Sequence, residues 1–178
     1  FSAVHLFDLP REPVIYRVFL LPGGLELDLS FAPAARFAPT APKVDLFFGE
    51  RGESSEEAPT QPDELFGYAV HHALHARVAI ERRRFWQAEY WVSAVRNYAL
   101  HLACLRHDLD GWYGRDFDQL PTEALAEYDE TLVCTLSRVE LLRALAISVE
   151  LLLNEAARSP AAQKAASVEA QLRELAGL

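Results

Sequence analysis

The sequence predicts an α+β protein, a small antiparallel or mixed sheet followed by an antiparallel helical bundle. Three observations carry this expectation. Residues 14–31, VIYRVFLLPGGLELDLSF, read as a β-hairpin: a β-branched and aromatic run, a Pro-Gly-Gly turn, and an alternating second strand. Residues 49–63, GERGESSEEAPTQPD, form an acidic, proline-containing linker with almost nothing to bury. From Glu64 onward the composition turns to Ala, Leu, Arg and Glu, which predicts helix to the end of the chain.

The expected domains are therefore 1–48, the linker 49–63, and 64–178. On the second hairpin strand Leu25, Leu27, Leu29 and Phe31 share one face, while Glu26, Asp28 and Ser30 share the other. A further short strand is expected at residues 44–48, after the proline-rich connector 34–42. In the helical part, acidic residues after Pro62 mark a helix start. That helix is expected to run to about residue 84, and a second over 85–107. Residues 108–121 carry two glycines and a proline and predict a loop. A short helix at 122–128 and a long one over 130–157 follow. Ser159-Pro160 resets the chain into a last helix at 161–175, with Gly177 beyond it.

Composition narrows the function classes. The 178-residue chain has a formal net charge of −9, which argues against nucleic-acid binding by bulk electrostatics. It has no run of about 18 apolar residues, so no transmembrane helix is expected. Nor does its start carry the basic flank and apolar stretch of a signal peptide. Cys104 and Cys134 both fall in helical patterns without CxxC spacing, and read as buried apolar residues in a reducing, cytoplasmic setting. The sequence contains no methionine, from which an origin inside a longer protein is expected.

Several constellations could carry chemistry. Along residues 85–107, Trp91, Val95, Tyr98, Leu102 and Leu105 fall on one apolar face. Glu89, Arg96 and His107 fall on a roughly opposite stripe with Val92, Leu100 and Ala103. A helix apolar on most of its circumference is central, and buried charges need partners. Glu89 and Arg96 are thus expected either in a structural ion-pair network or, for Glu89, in a cleft. His71 and His75 show the H-x3-H spacing of metal ligands. Without the HExxH glutamate or further ligand runs, His71, His72 and His75 read as solvated or interhelical histidines. No GxGxxG, GxxxxGK[ST] or GxSxG occurs, so Rossmann, P-loop and serine acyl-transfer chemistry are not supported.

Three stretches, IYRVFLLPGGLELDLSF, HARVAIERRRFWQAEYWVSAVRNYALHLACLRH and GRDFDQLP with VELLRALAISVELLLNE, together resemble a family. They are similar to bacterial nucleotidyltransferase-domain proteins of the DNA-polymerase-β superfamily, the group that includes aminoglycoside nucleotidyltransferases. The resemblance implies a sheet lobe with a Gly-Ser turn, a D-x-D pair and a third carboxylate on a later strand, followed by a helical domain. Asp28 matches the third carboxylate, as metal ligand or base. The Gly-Ser turn and D-x-D pair have no match in this chain and are expected upstream of Phe1.

The implied activity is magnesium-dependent transfer of a nucleoside monophosphate from a nucleoside triphosphate to a hydroxyl of a small acceptor, an aminoglycoside being one candidate. Magnesium ions held by carboxylates neutralise charge at the α-phosphate, and a further carboxylate takes the hydroxyl proton. The resemblance makes Glu89 a candidate for that base and Arg17 a candidate triphosphate contact, although a cross-strand pair of Arg17 with Glu26 or Asp28 explains it equally well. Trp86, Tyr90, Trp91, Trp112 and Tyr113 could shape the acceptor wall. The long leucine-rich helix could pack within the bundle or against a second copy. Two alternatives stand beside this reading. One is a non-enzymatic helical interaction module. The other follows from Arg96 and His101, whose R-x4-H spacing in RNYALH resembles HEPN-type helical domains, some of them ribonucleases. Those two side chains lie about 140° apart on an ideal helix, so they converge only across a dimer or shared groove.

Overall fold

The computed structural model describes residues 2–33, 47–48 and 61–178. The chain divides into two compact units, residues 1–59 and 60–178. Among the described residues the fold is α+β, a three-stranded antiparallel sheet followed by five α-helices.

The sheet is a meander of β1 (Val4–Arg11), β2 (Val14–Leu21) and β3 (Leu25–Phe31), in that spatial order. The expected hairpin is β2–β3, and its turn works because Gly23 and Gly24 both take positive φ, at 84° and 76°. β1 is an addition: its alternation is broken by a bulge between His5 and Phe7, which hides the period-2 signal. It joins β2 through Glu12-Pro13. The sheet is purely antiparallel. The expected strand at 44–48 falls mainly outside the described residues; Phe47 and Phe48 are exposed and not in a strand.

Unit two packs α1 (Pro62–Glu81), α2 (Phe85–Arg106), α4 (Arg138–Ala157) and α5 (Ala162–Ala176) around one core, with α3 (Thr122–Asp129) alongside. Ala69, Ala73 and Ala76 of α1 and Ala88, Ala99 and Ala103 of α2 are wholly buried. Small side chains at a helix contact let the axes come close. Leu141, Leu145, Val149 and Leu152 of α4 fill the centre with Val92, Val95 and Leu102 of α2. Val92, Leu100 and Ala103 of the opposite stripe are buried along with Ala88, Val95 and Ala99, so α2 is central in the bundle, as its largely apolar circumference predicts. The helices are tied at their ends by Arg138 of α4 to Glu81 of α1, 3.0 Å, and by Lys164 of α5 to the Asp63 carbonyl, 2.9 Å.

The largest departure from expectation is the start of α4. It begins at Arg138 rather than at residue 130, because Ser137 caps it and accepts a hydrogen bond from the Glu140 N–H at 3.2 Å. The Ser137-x-x-Glu140 pattern is a capping signature visible in the sequence. Glu140 reaches back to the Cys134 N–H at 3.0 Å, and Arg143 donates to the Glu130 and Leu132 carbonyls, holding the connection outside the helix. Arg143 with that N–H holds the Glu140 carboxyl at about 2. Cys134, expected buried in a helix, is therefore exposed in this connection, whereas Cys104 is buried in α2; both are free.

Candidate functional site

Asp28 sits at the middle of β3, opposite Val18 of β2, which in turn pairs with Phe7 of β1. Val18 is the one buried residue of the described sheet, 6% exposed. Asp28 itself is exposed, with Glu26 and Ser30 two positions away on the same face. No described residue hydrogen-bonds or ion-pairs with it. A carboxylate in mid-strand with no cation beside it is free to meet a ligand.

Arg17 is placed differently from either expected role. It pairs across the strands with Asp8 of β1 and lies on the face of Leu29 and Phe31. Its Nε and Nη2 donate to both Asp8 oxygens at 2.7 Å, and the guanidinium stands 5.9 Å from the Phe31 ring centroid. His5 Nε2 reaches Asp8 at 2.9 Å. Arg17 and His5 together hold the Asp8 carboxyl well below the ordinary range. The cross-strand partner is thus Asp8, neither Glu26 nor Asp28, because alternation puts both of those on the other face.

Glu89, in the first turns of α2, is half-buried and accepts a hydrogen bond from Ser93 Oγ at 2.6 Å. Arg96 is also half-buried, and burial pushes its pKa down while Glu89 pulls it up. No ion pair joins the two, and Arg96 has no hydrogen-bond partner among the described residues. The expected Glu89–Arg96 network is not formed. Interhelical pairing uses Arg106–Glu155 and Arg138–Glu81 instead.

His101 lies on another side of α2, 4% exposed, under the loop after that helix. Trp112 meets its ring edge-on at 4.7 Å, and Gly111 lies directly over it. Asp110 and Asp116 shape this loop: Asp110 accepts from the Trp112 N–H at 2.9 Å and pairs with Arg115, and Asp116 accepts from the Asp110 N–H at 2.9 Å. Within the chain no hydrogen bond or ion pair joins Arg96 to His101. Of the aromatic wall candidates, Trp86, Tyr90 and Tyr113 are exposed, Trp112 covers His101, and Trp91 packs on His72 and His75.

Burial lowers the His101 pKa more than nearby Asp110 raises it. Above the unfolded value of about 6.5 the imidazole is neutral in both states and adds no pH dependence. Below it the unfolded chain takes the proton first, so stability falls as pH drops from about 6.5 toward the lower folded value. Urea titrations between pH 7 and 5 should show a shallower fall for His101→Asn than for the unaltered protein.

Magnesium takes hard oxygen ligands in near-octahedral geometry. Asp28 fits by donor type. No set of three or more His, Cys, Asp or Glu converges among the described residues. No helix among them is long and apolar enough to cross a membrane. Compared with known families and curated proteins, the chain matches no family model and no curated protein.

Proposed function

We propose that this chain is part of a nucleotidyltransferase that moves a nucleoside monophosphate from a nucleoside triphosphate to a hydroxyl of a small acceptor. The observation that carries the reading is Asp28: an exposed carboxylate in mid-strand, with no cation beside it among the described residues, on the last strand of an antiparallel sheet. A strand is a rigid mount for a ligand-binding carboxylate. Among the described residues the one sheet arginine near the strand's centre, Arg17, is committed to Asp8. In this reading Asp28 is one member of a carboxylate set whose other members do not gather around it among the described residues. Arg17 then stabilises the sheet rather than holding phosphate.

Glu89 is the second residue of the proposal. Its other oxygen remains available after the bond to Ser93, and a carboxylate so placed can accept a proton from an attacking hydroxyl. Localisation in the cytoplasm and homodimer formation through the helical unit belong to the same proposal. So does an aminoglycoside-like acceptor.

The test is transfer from radiolabelled nucleoside triphosphates to a panel of aminoglycosides and other polyhydroxyl acceptors, using the complete gene product. Asp28→Asn should lower transfer by about a hundredfold or more, with the helical content unchanged. Glu89→Gln should lower it by about a hundredfold without weakening nucleotide binding. Wild-type transfer by the Asp28→Asn protein removes the assignment. Absence of transfer and of nucleotide binding in the unaltered protein favours the non-enzymatic helical module.

A further inference from the structure

Three of the six histidines lie within two turns of α1, at positions 71, 72 and 75, and the proposed transfer uses none of them. They are not equivalent. Residues four apart share a helix face, and His71 and His75 stand in that relation, both exposed. Their rings meet edge to face with centroids 4.4 Å apart. His72 is half-buried against α2. Its ring lies 4.9 Å from Trp91 and 5.3 Å from Tyr98, and its Nδ1 is enclosed without a partner among the described residues.

His75 is held before any ligand arrives. Its ring stacks on Trp91 at 5.0 Å and 30°, while Trp91 is flanked by His72 and by Tyr90 at 4.8 Å. A ligand group fixed in advance loses less side-chain entropy on binding. His71, beside it, is exposed and can turn its ring toward a shared point. Neither imidazole hydrogen-bonds to a described residue, so both keep nitrogen lone pairs for a ligand.

We propose that His71 and His75 chelate an imidazole-seeking divalent ion of the Zn2+, Ni2+ and Cu2+ class, with water completing its coordination. Imidazole nitrogen suits these ions, whereas magnesium and calcium prefer oxygen. One helical turn brings two imidazoles to the same side, and each nitrogen can approach a common ion to about 2.0 Å. The net charge of −9 draws cations toward the surface. No third protein ligand joins them among the described residues, so the site is open and exchangeable, unlike the closed four-ligand sites that hold a fold together. The bundle core contains no part of it.

The stacking of His75 on Trp91 supplies the readout, since Cu2+ bound at His75 quenches the fluorescence of an indole in contact with that ring. Titrating the protein with Cu2+ should give a saturable, one-to-one quench that Trp91→Phe removes, leaving the signals of Trp86 and Trp112. His71→Ala and His75→Ala should each weaken binding by about tenfold or more, while His72→Gln retains it. Both alanine positions are exposed, and circular dichroism checks that helicity is kept. A second measurement uses the unaltered protein: Zn2+ should shift the imidazole NMR signals of His71 and His75 and spare those of His5 and His107. Wild-type affinity in both alanine variants, or Zn2+ shifts confined to His5 or His107, overturns the proposal. Neither measurement depends on transferase activity, so the two readings fail separately.

Discussion

Glu155→Ala is expected to destabilise the helical unit by about 3 kcal/mol, measured by urea unfolding followed by helical circular dichroism. Glu155 of α4 receives two parallel hydrogen bonds from Arg106 of α2, 2.9 Å from Nε and 3.0 Å from Nη2. The side chains are 9% and 29% exposed, so water screens the pair only partly. Removing the carboxylate leaves a guanidinium near the buried Tyr128 hydroxyl, which has no partner of its own among the described residues. Burial and the Glu155 charge already push that hydroxyl well above the ordinary tyrosine range. The loss measures an abandoned charge rather than the net worth of the pair. The double variant Arg106→Met with Glu155→Leu should therefore recover most of it. A double variant as unstable as Glu155→Ala would show instead that packing of the aliphatic stems carries the effect.

Gly111→Ala is expected to cost about 3 kcal/mol and to loosen the loop after α2. An alanine Cβ at this position would lie 2.4 Å from His101 Cδ2, 2.7 Å from Cγ and 2.9 Å from Cα. The imidazole could rotate away only by giving up its contact with Trp112, and the Cα cannot rotate at all. The glycine is required by space, since its own φ of −82° suits any residue. Thermal unfolding reads the loss. Hydrogen exchange at the Trp112 and Asp110 amides, both capped by aspartates, should rise in the variant. Unchanged exchange and stability would mean that the loop shifts outward without cost.

The periodic elements were legible because their signals are local. The β2–β3 hairpin declares itself by alternation and a glycine turn, and α1, α2 and α5 by composition and flanking breakers. The start of α4 was also written locally, in Ser137 and Glu140, but a leucine-rich run continuing back to residue 130 masks a cap that interrupts it. β1 is not legible in the sequence because its bulge spoils the alternation by which an eight-residue strand is recognised. Cys134 escapes a sequence reading for the same reason as the start of α4: the helical pattern runs through a segment whose backbone is bound by Arg143 side-chain donors.

What the sequence determined by itself is the α+β order of the chain, the hairpin register that sets Asp28 among Glu26 and Ser30, and the helical turn that aligns His71 with His75. These follow from periods of two and 3.6 residues, which any short stretch of chain carries. Tertiary structure alone decided three other points: that Arg17 belongs to Asp8, that Glu89 bonds Ser93 and leaves Arg96 unpaired, and that His101 is roofed by Gly111. Helical periodicity orders residues around an axis without saying which neighbour covers each face. Partners for a charge or a ring come from distant segments, and only packing brings those segments together.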